Sequence, residues 1–333
     1  MDLSAWGARS PADLVWRRHD RRCGGGGTRG RRAVLSVLLA VLAAIANALA
    51  SVLQRKAARD RPESESLSLR LVRHLLHRPV WFAGVLSIIA GFLLQAAALG
   101  NGQISLVQPV LVLELPATLL LASLVFRSRL GVREWGASVM MAVGLAGLLF
   151  SLSPSQGSAA HATALRWAFA SGVNVLLVAA MVMWARLAGP GARKAALLGV
   201  ATGCAFGFTA ALIKGVTDAF SHGIGAVFSS WQLYAMIVAG AGAMFLLQSA
   251  MHAGRLLASQ PGLTMSDPVI AILWGVFVFG EAVRGGVYTV LSVAGAVVVA
   301  VAVTLLTRSP LLAGQTGRGE EGQPRGGADA KTQ

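Results

Sequence analysis

Two stretches decide the fold: ISLVQPVLVLELPATLLLASLVF (104–126) and LLASQPGLTMSDPVIAILWGVFVFG (256–280). Each is long enough to cross ~30 Å of hydrocarbon, which takes about 20 apolar residues. Each carries one acid near its middle, Glu114 and Asp267, just before a proline. A charge at membrane depth costs at least ~2.5 kcal/mol on insertion scales, so the default reading of such an acid is functional. The stretches also look like copies: Gln108-Pro109 recurs as Gln260-Pro261, and Pro116 falls on Pro268 in the same register.

Outward from these two, the same composition continues. Hydrophobic residues make up 55% of the chain and charged residues 13%. The apolar residues come in runs, and nine are long enough to span: 33–54, 79–99, 104–126, 134–152, 164–185, 194–215, 229–251, 257–280 and 285–307. The sequence predicts an all-α polytopic membrane protein, with a transmembrane domain over 33–307. Residues 1–32 hold eight arginines and the run Gly24–Gly27, and 308–333 are rich in Gly, Gln and charge. Both tails read as disordered, because they cannot bury enough apolar surface to fold. Residues 67–78, with Leu67, Leu71 and Leu75 one turn apart among basic residues, read either as a surface amphipathic helix or as a solvated loop.

The net charge of +15 does not mark a nucleic-acid binder, because the basic residues sit in tails and loops. There they set orientation. With nine spans, the face carrying the C-terminus holds 18 Lys and Arg, and the other face 11 when the N-terminal tail is included. The richer face, and the C-terminus with it, is expected in the cytoplasm of a plasma-membrane protein. The side of the N-terminal tail stays open. Cys23 and Cys204 make no disulfide framework or metal-ligand spacing.

Further repeats join the first. Phe92-Leu93-Leu94-Gln95 recurs as Phe245-Leu246-Leu247-Gln248, and Trp81 matches Trp231. Spans two to four then correspond to spans seven to nine, and Lys56-Ala57 against Lys214-Gly215 extends the match to spans one and six. Repeat one covers 33–152, repeat two 194–307, and the helix 164–185 links them. An odd number of spans between equivalent helices inverts the second half. The expected plan is two inverted four-helix repeats around a central fifth helix, as in many secondary transporters.

These repeats, the small-residue-rich helices and Phe279-Gly280-Glu281 at the end of span eight resemble the drug/metabolite transporter superfamily, of EamA-like type. The nine spans, Gln54-Arg55-Lys56-Ala57 at the end of the first, and a polar loop before Trp81 are most similar to the NIPA-like magnesium-transporter branch. Two features depart from the pattern. Span three ends in Arg127-Ser128-Arg129 where Gly-Glu is expected, and the pair Glu114 and Asp267 has no counterpart in that branch's motifs. The resemblance implies a transporter working by alternating access. In it, Glu281 takes a helix-end or gate role.

The candidate site follows from residue type and spacing. Pro109, Pro116, Pro261 and Pro268 lack an N–H and free a carbonyl one turn earlier, so they are expected helix breaks. Gln260, Thr264 and Asp267 fall at i, i+4 and i+7 on one stripe; Glu114 and Thr118 share a face. With Gln108, these six make the expected substrate-binding set. Two carboxylates on one cavity suit a divalent cation, an organic cation or a proton relay, and would hold the ion if a cation is carried. The competing reading makes each acid structural, bonded to a neighbouring helix. Asn47, Gln95, Asn174 and Gln248 read as amides bridging helices. Gly199, Gly203, Gly207, Ala211 and Gly215, at every fourth position, read as a packing ridge or a sliding surface. No catalytic Ser/His/Asp set, histidine cluster or phosphate-binding loop marks an enzyme, and no cofactor is implied. The expected partners are the bilayer and a small-molecule or cation substrate, with a homodimer compatible; nucleic acid is not among them.

Overall fold

The structure, a computed structural model, describes residues 11–59, 79–127, 130–155, 162–253 and 256–309. All regular structure among them is helical. Helix is what an apolar run must form at membrane depth, because each backbone N–H and C=O is then satisfied within its own segment. The helices of the first half are α1 (Pro11–Arg59), α2 (Pro79–Asn101), α3 (Ile104–Leu111), α4 (Glu114–Phe126) and α5 (Val132–Leu152). There follow α6 (Ala164–Leu187), α7 (Ala192–Phe220), the short α8 (Ile224–Ser229), α9 (Trp231–Ala253), α10 (Leu256–Phe277) and α11 (Val287–Thr307). Among the described residues, eight segments are long and apolar enough to cross a membrane, α3 and α4 counting as one. The chain is a polytopic all-α membrane protein. The expected eighth run is α10. It falls short of that measure because Gln260, Asp267 and two prolines dilute its apolar residues.

The ends differ in part from expectation. Helix α1 starts at Pro11, so residues 11–32 are helical where a disordered tail is expected. Extending a helix needs no new nucleus, and here it runs through Gly24–Gly27 against a propensity cost of about 1 kcal/mol per glycine. Arg308 and Ser309 still belong to the fold: the Ser309 hydroxyl donates to Glu134 Oε1 at 3.0 Å. Residues 1–10, the segment 67–78 and the tail from 310 onward lie outside the described residues.

Helix α7 is the centre of the molecule. Its ridge of small residues lets neighbouring backbones approach closely. A Cβ on Gly199 would meet the Ser259 carbonyl, and one on Gly203 the Ser266 hydroxyl and the Leu263 carbonyl. One on Gly207 would lie 2.8 Å from the Asp267 carbonyl oxygen. The ridge is therefore where α10 packs. The linking helix α6 is not central, contrary to the expected plan. It packs on α7 and leaves Leu165, Phe169, Leu176 and Leu187 exposed. A helix that is apolar all round satisfies lipid as well as it satisfies a core, so its sequence does not choose between them.

The remaining contacts follow one pattern in each half. In the first, α1 packs on α2 and on α3 and α4; in the second, α7 packs on α9 and α10. Across the halves, α3 packs on α10 and α5 packs on α11. In the second of these crossings the backbones nearly touch. A Cβ on Gly295 would lie 2.9 Å from Leu148 N, and Ser292 donates to Ser151 Oγ at 3.0 Å.

Candidate functional site

The α3–α4 break lies between two prolines. Pro109 and Pro116 withhold their donors from the carbonyls of Ser105 and Val112. Between them the chain tightens into short bonds: Val112 N–H donates to Pro109 O at 3.2 Å, Leu113 N–H to Val110 O at 3.1 Å, and Leu115 N–H to Val112 O at 3.2 Å. Glu114 is thereby the first residue of α4. A helix N-terminus favours a carboxylate through its free N–H groups and its dipole.

The matching prolines do something else. Helix α10 runs unbroken from Leu256 to Phe277 with Pro261 and Pro268 inside it. The expected breaks at these two residues are absent. A proline removes one bond and leaves its neighbours' bonds in place. Packing along α7 holds the rest, helped by the Ser266 hydroxyl, which donates to Val200 O at 3.1 Å and to Gly262 O at 2.7 Å.

The two acids come together. Glu114 and Asp267 lie within electrostatic reach of each other. The Asn47 side chain on α1 lies close enough to Glu114 to favour its charged form. Asp267 Oδ1 is buried and has no hydrogen-bond partner among the described residues. Gln108, 2% exposed on α3, likewise leaves its Nε2 unpartnered among them. Native proteins pair nearly all such buried polar atoms. Here an acceptor and a donor are left over on two helices that pack together.

The other expected residues divide. Gln260 and Thr264 are half-buried on α10, on the stripe that ends at Asp267. At 3.6 residues per turn, that stripe lies about 100° around the helix from the face covered by α7. Thr118 stays on the face of Glu114, its hydroxyl donating back to Glu114 O at 2.7 Å. Asn47 bridges helices as expected, from α1 to α4, but sequence reasoning did not show that its partner is one of the two acids. Its one signal was an amide inside an apolar run. Asn174 also bridges, donating to Cys204 O at 3.4 Å. Among the described residues no three His, Cys, Asp or Glu side chains cluster as a metal cage.

A second polar group sits at one end of the helices. Glu281, 2% exposed, accepts from Ile104 N–H at 2.8 Å and Ser105 N–H at 3.0 Å, and from the Ser105 hydroxyl. It caps α3. Lys214 on α7 donates to Leu99 O and Gly102 O, both at 3.1 Å, and so caps α2. Its Nζ lies 5.4 Å from the Phe279 ring centroid and within electrostatic reach of Glu281. Trp167 packs beside them, 5.2 Å from Trp274 and 5.7 Å from Phe279 between ring centroids. Ile104, Val107, Leu212, Trp274 and Val278 make this end a solid core. Toward the other end, Glu114, Gln260 and Thr264 are only half-buried.

A protein of Corynebacterium glutamicum, uncharacterized, is 33% identical over 256 residues, which cover 74% of this chain and 86% of the relative. No protein-family model matches the sequence, and no solved structure matches it.

Proposed function

This chain belongs to the same family as the corynebacterial protein, and we propose that it is a secondary transporter of the drug/metabolite type, carrying a small solute or cation across the plasma membrane by alternating access. The observation that carries this reading is that Glu114 and Asp267, each near the middle of its apolar span and one from each half, lie within electrostatic reach, with a buried oxygen of Asp267 unpartnered among the described residues. Helix α10 counts as a ninth span in this reading. In this reading its polar residues face protein and water instead of lipid, the condition under which they are tolerated at membrane depth. The two halves are inverted repeats, supported by their matching neighbour patterns and by the paired contacts of α3 with α10 and of α5 with α11.

The chemistry favours a substrate with positive charge or hydrogen-bond donors. Among the described residues, no Lys or Arg lies close enough to offset the charge of either acid. Magnesium is the specific alternative. It keeps several of its waters and needs only one or two carboxylates. The coupling would be to an ion gradient.

The test is a substrate screen with purified protein in liposomes, comparing magnesium, organic cations and amino-acid-like metabolites with and without a proton gradient. Uptake of one class above empty liposomes is expected. No uptake of any class would turn the reading to a membrane scaffold or regulatory subunit.

A further inference from the structure

We propose that Glu281 and Lys214 are gating residues: they clamp the corner between α2 and α3 shut, and release of that corner opens the site on the face opposite the basic loops. The proposal rests on the transport reading above. Both residues belong to the second half, and what they hold belongs to the first. Glu281 takes the first N–H groups of α3, and Lys214 takes carbonyls at the end of α2. Each charge has the sign that its helix end favours.

The place of the clamp fits a gate. Helix α7 begins beside Arg193 and Lys194, and Lys214 lies toward its far end. That end is packed solid, while the site residues nearer the basic loops are half-buried. The structure is therefore closed at the clamp. The corner itself carries an unused acceptor, the buried Gln103 Oε1, which has no hydrogen-bond partner among the described residues. A corner that only braces the fold gains nothing from a leftover acceptor. One that shifts has a second seat for the donors of Lys214.

The corner can be locked without touching either charge. A Cβ on Gly100 would lie 3.4 Å from Thr217 Cβ, so cysteines at these positions would stand at about the 3.5–4.5 Å spacing of a disulfide. In a protein with Cys23→Ser and Cys204→Ser, the pair Gly100→Cys and Thr217→Cys should transport at the parental rate when reduced. Oxidation should lower the rate at least ~10-fold, and dithiothreitol should restore it. Parental transport with the disulfide formed, checked by mass spectrometry, would overturn the proposal.

A second arm does not depend on transport. Ala271, buried between the acids and the clamp, is replaced by cysteine in the same background. It should resist a polar maleimide in the parent and react at least ~10-fold faster with Glu281→Gln or Lys214→Met added. Equal protection in all three proteins, each eluting as one folded species, would also overturn the clamp. If no version transports but labelling still follows the clamp, it is the transport reading that fails.

Discussion

At the scale of single residues, Asp267 and Asn47 matter most. Asp267→Asn keeps the volume and the helix but removes the ionisable group. Initial uptake per folded molecule is expected to fall at least ~10-fold, with expression and insertion near normal, because a costly mid-membrane acid is lost. Glu114→Gln should act in the same direction and less severely, since Asn47 still stands beside the amide as a polar neighbour. Wild-type specific activity in both variants would make the acids packing residues. Asn47→Leu strips the polar neighbour from Glu114, at a cost of about 1–3 kcal/mol. It should lower the folded yield measured by size-exclusion chromatography as well as uptake. The two acids were legible in the sequence because charge is rare in an apolar run. Their partner was not, because nothing in the order of residues ties Asn47 to a carboxylate on another helix.

At the scale of elements, the contact of α7 with α10 is the most sensitive to added volume. Gly203→Val would drive side-chain atoms into Ser266 and the Leu263 carbonyl. Overpacking of this kind costs about 1–3 kcal/mol, so a loss of several degrees in thermal stability is expected. Gly172, on α6, has nothing within 4 Å of an added Cβ. Gly172→Ala should leave stability unchanged or raise it slightly, by up to about 1 kcal/mol from helix propensity. A fluorescence melting curve in detergent separates the two, and equal melting would deny the close approach. The spacing of these glycines announced the ridge but not the helix that occupies it. The prolines were legible too, and misleading as a pair. The same Gln-Pro spacing breaks the helix between Pro109 and Pro116, yet leaves it whole at Pro261 and Pro268. What differs is packing: α10 lies along α7, and no sequence pattern reports how firmly a neighbour holds a helix.

At the scale of the whole molecule, the basic loops predict which way the protein lies. The loops at 55–78, 127–133 and 186–194 are expected on the cytoplasmic side, and the turn around Ser155 on the other. Single cysteines at Ser68 and Ser155, in a background lacking Cys23 and Cys204, test this with an impermeant reagent on intact cells. Ser155→Cys should be labelled and Ser68→Cys protected; the reverse pattern inverts the orientation. The membrane class was readable from composition alone, since apolar runs of this length have few other uses. The place of α6 at the periphery was not. Lipid and protein core ask for the same side chains, so position between them is decided by which helix offers small residues to its neighbours.

The crossing of α5 and α11 has a consequence for biosynthesis. These helices meet backbone to backbone at Gly144 and Gly295, yet one belongs to the first half of the chain and the other is the last of the described helices. Everything from Ser153 to Gly286 must be translated in between, which takes roughly 10 s or more at ordinary elongation rates. Until then the groove at Gly144 faces lipid or whatever escorts the nascent chain. The partnership of the two halves is thus completed only once α11 has left the ribosome.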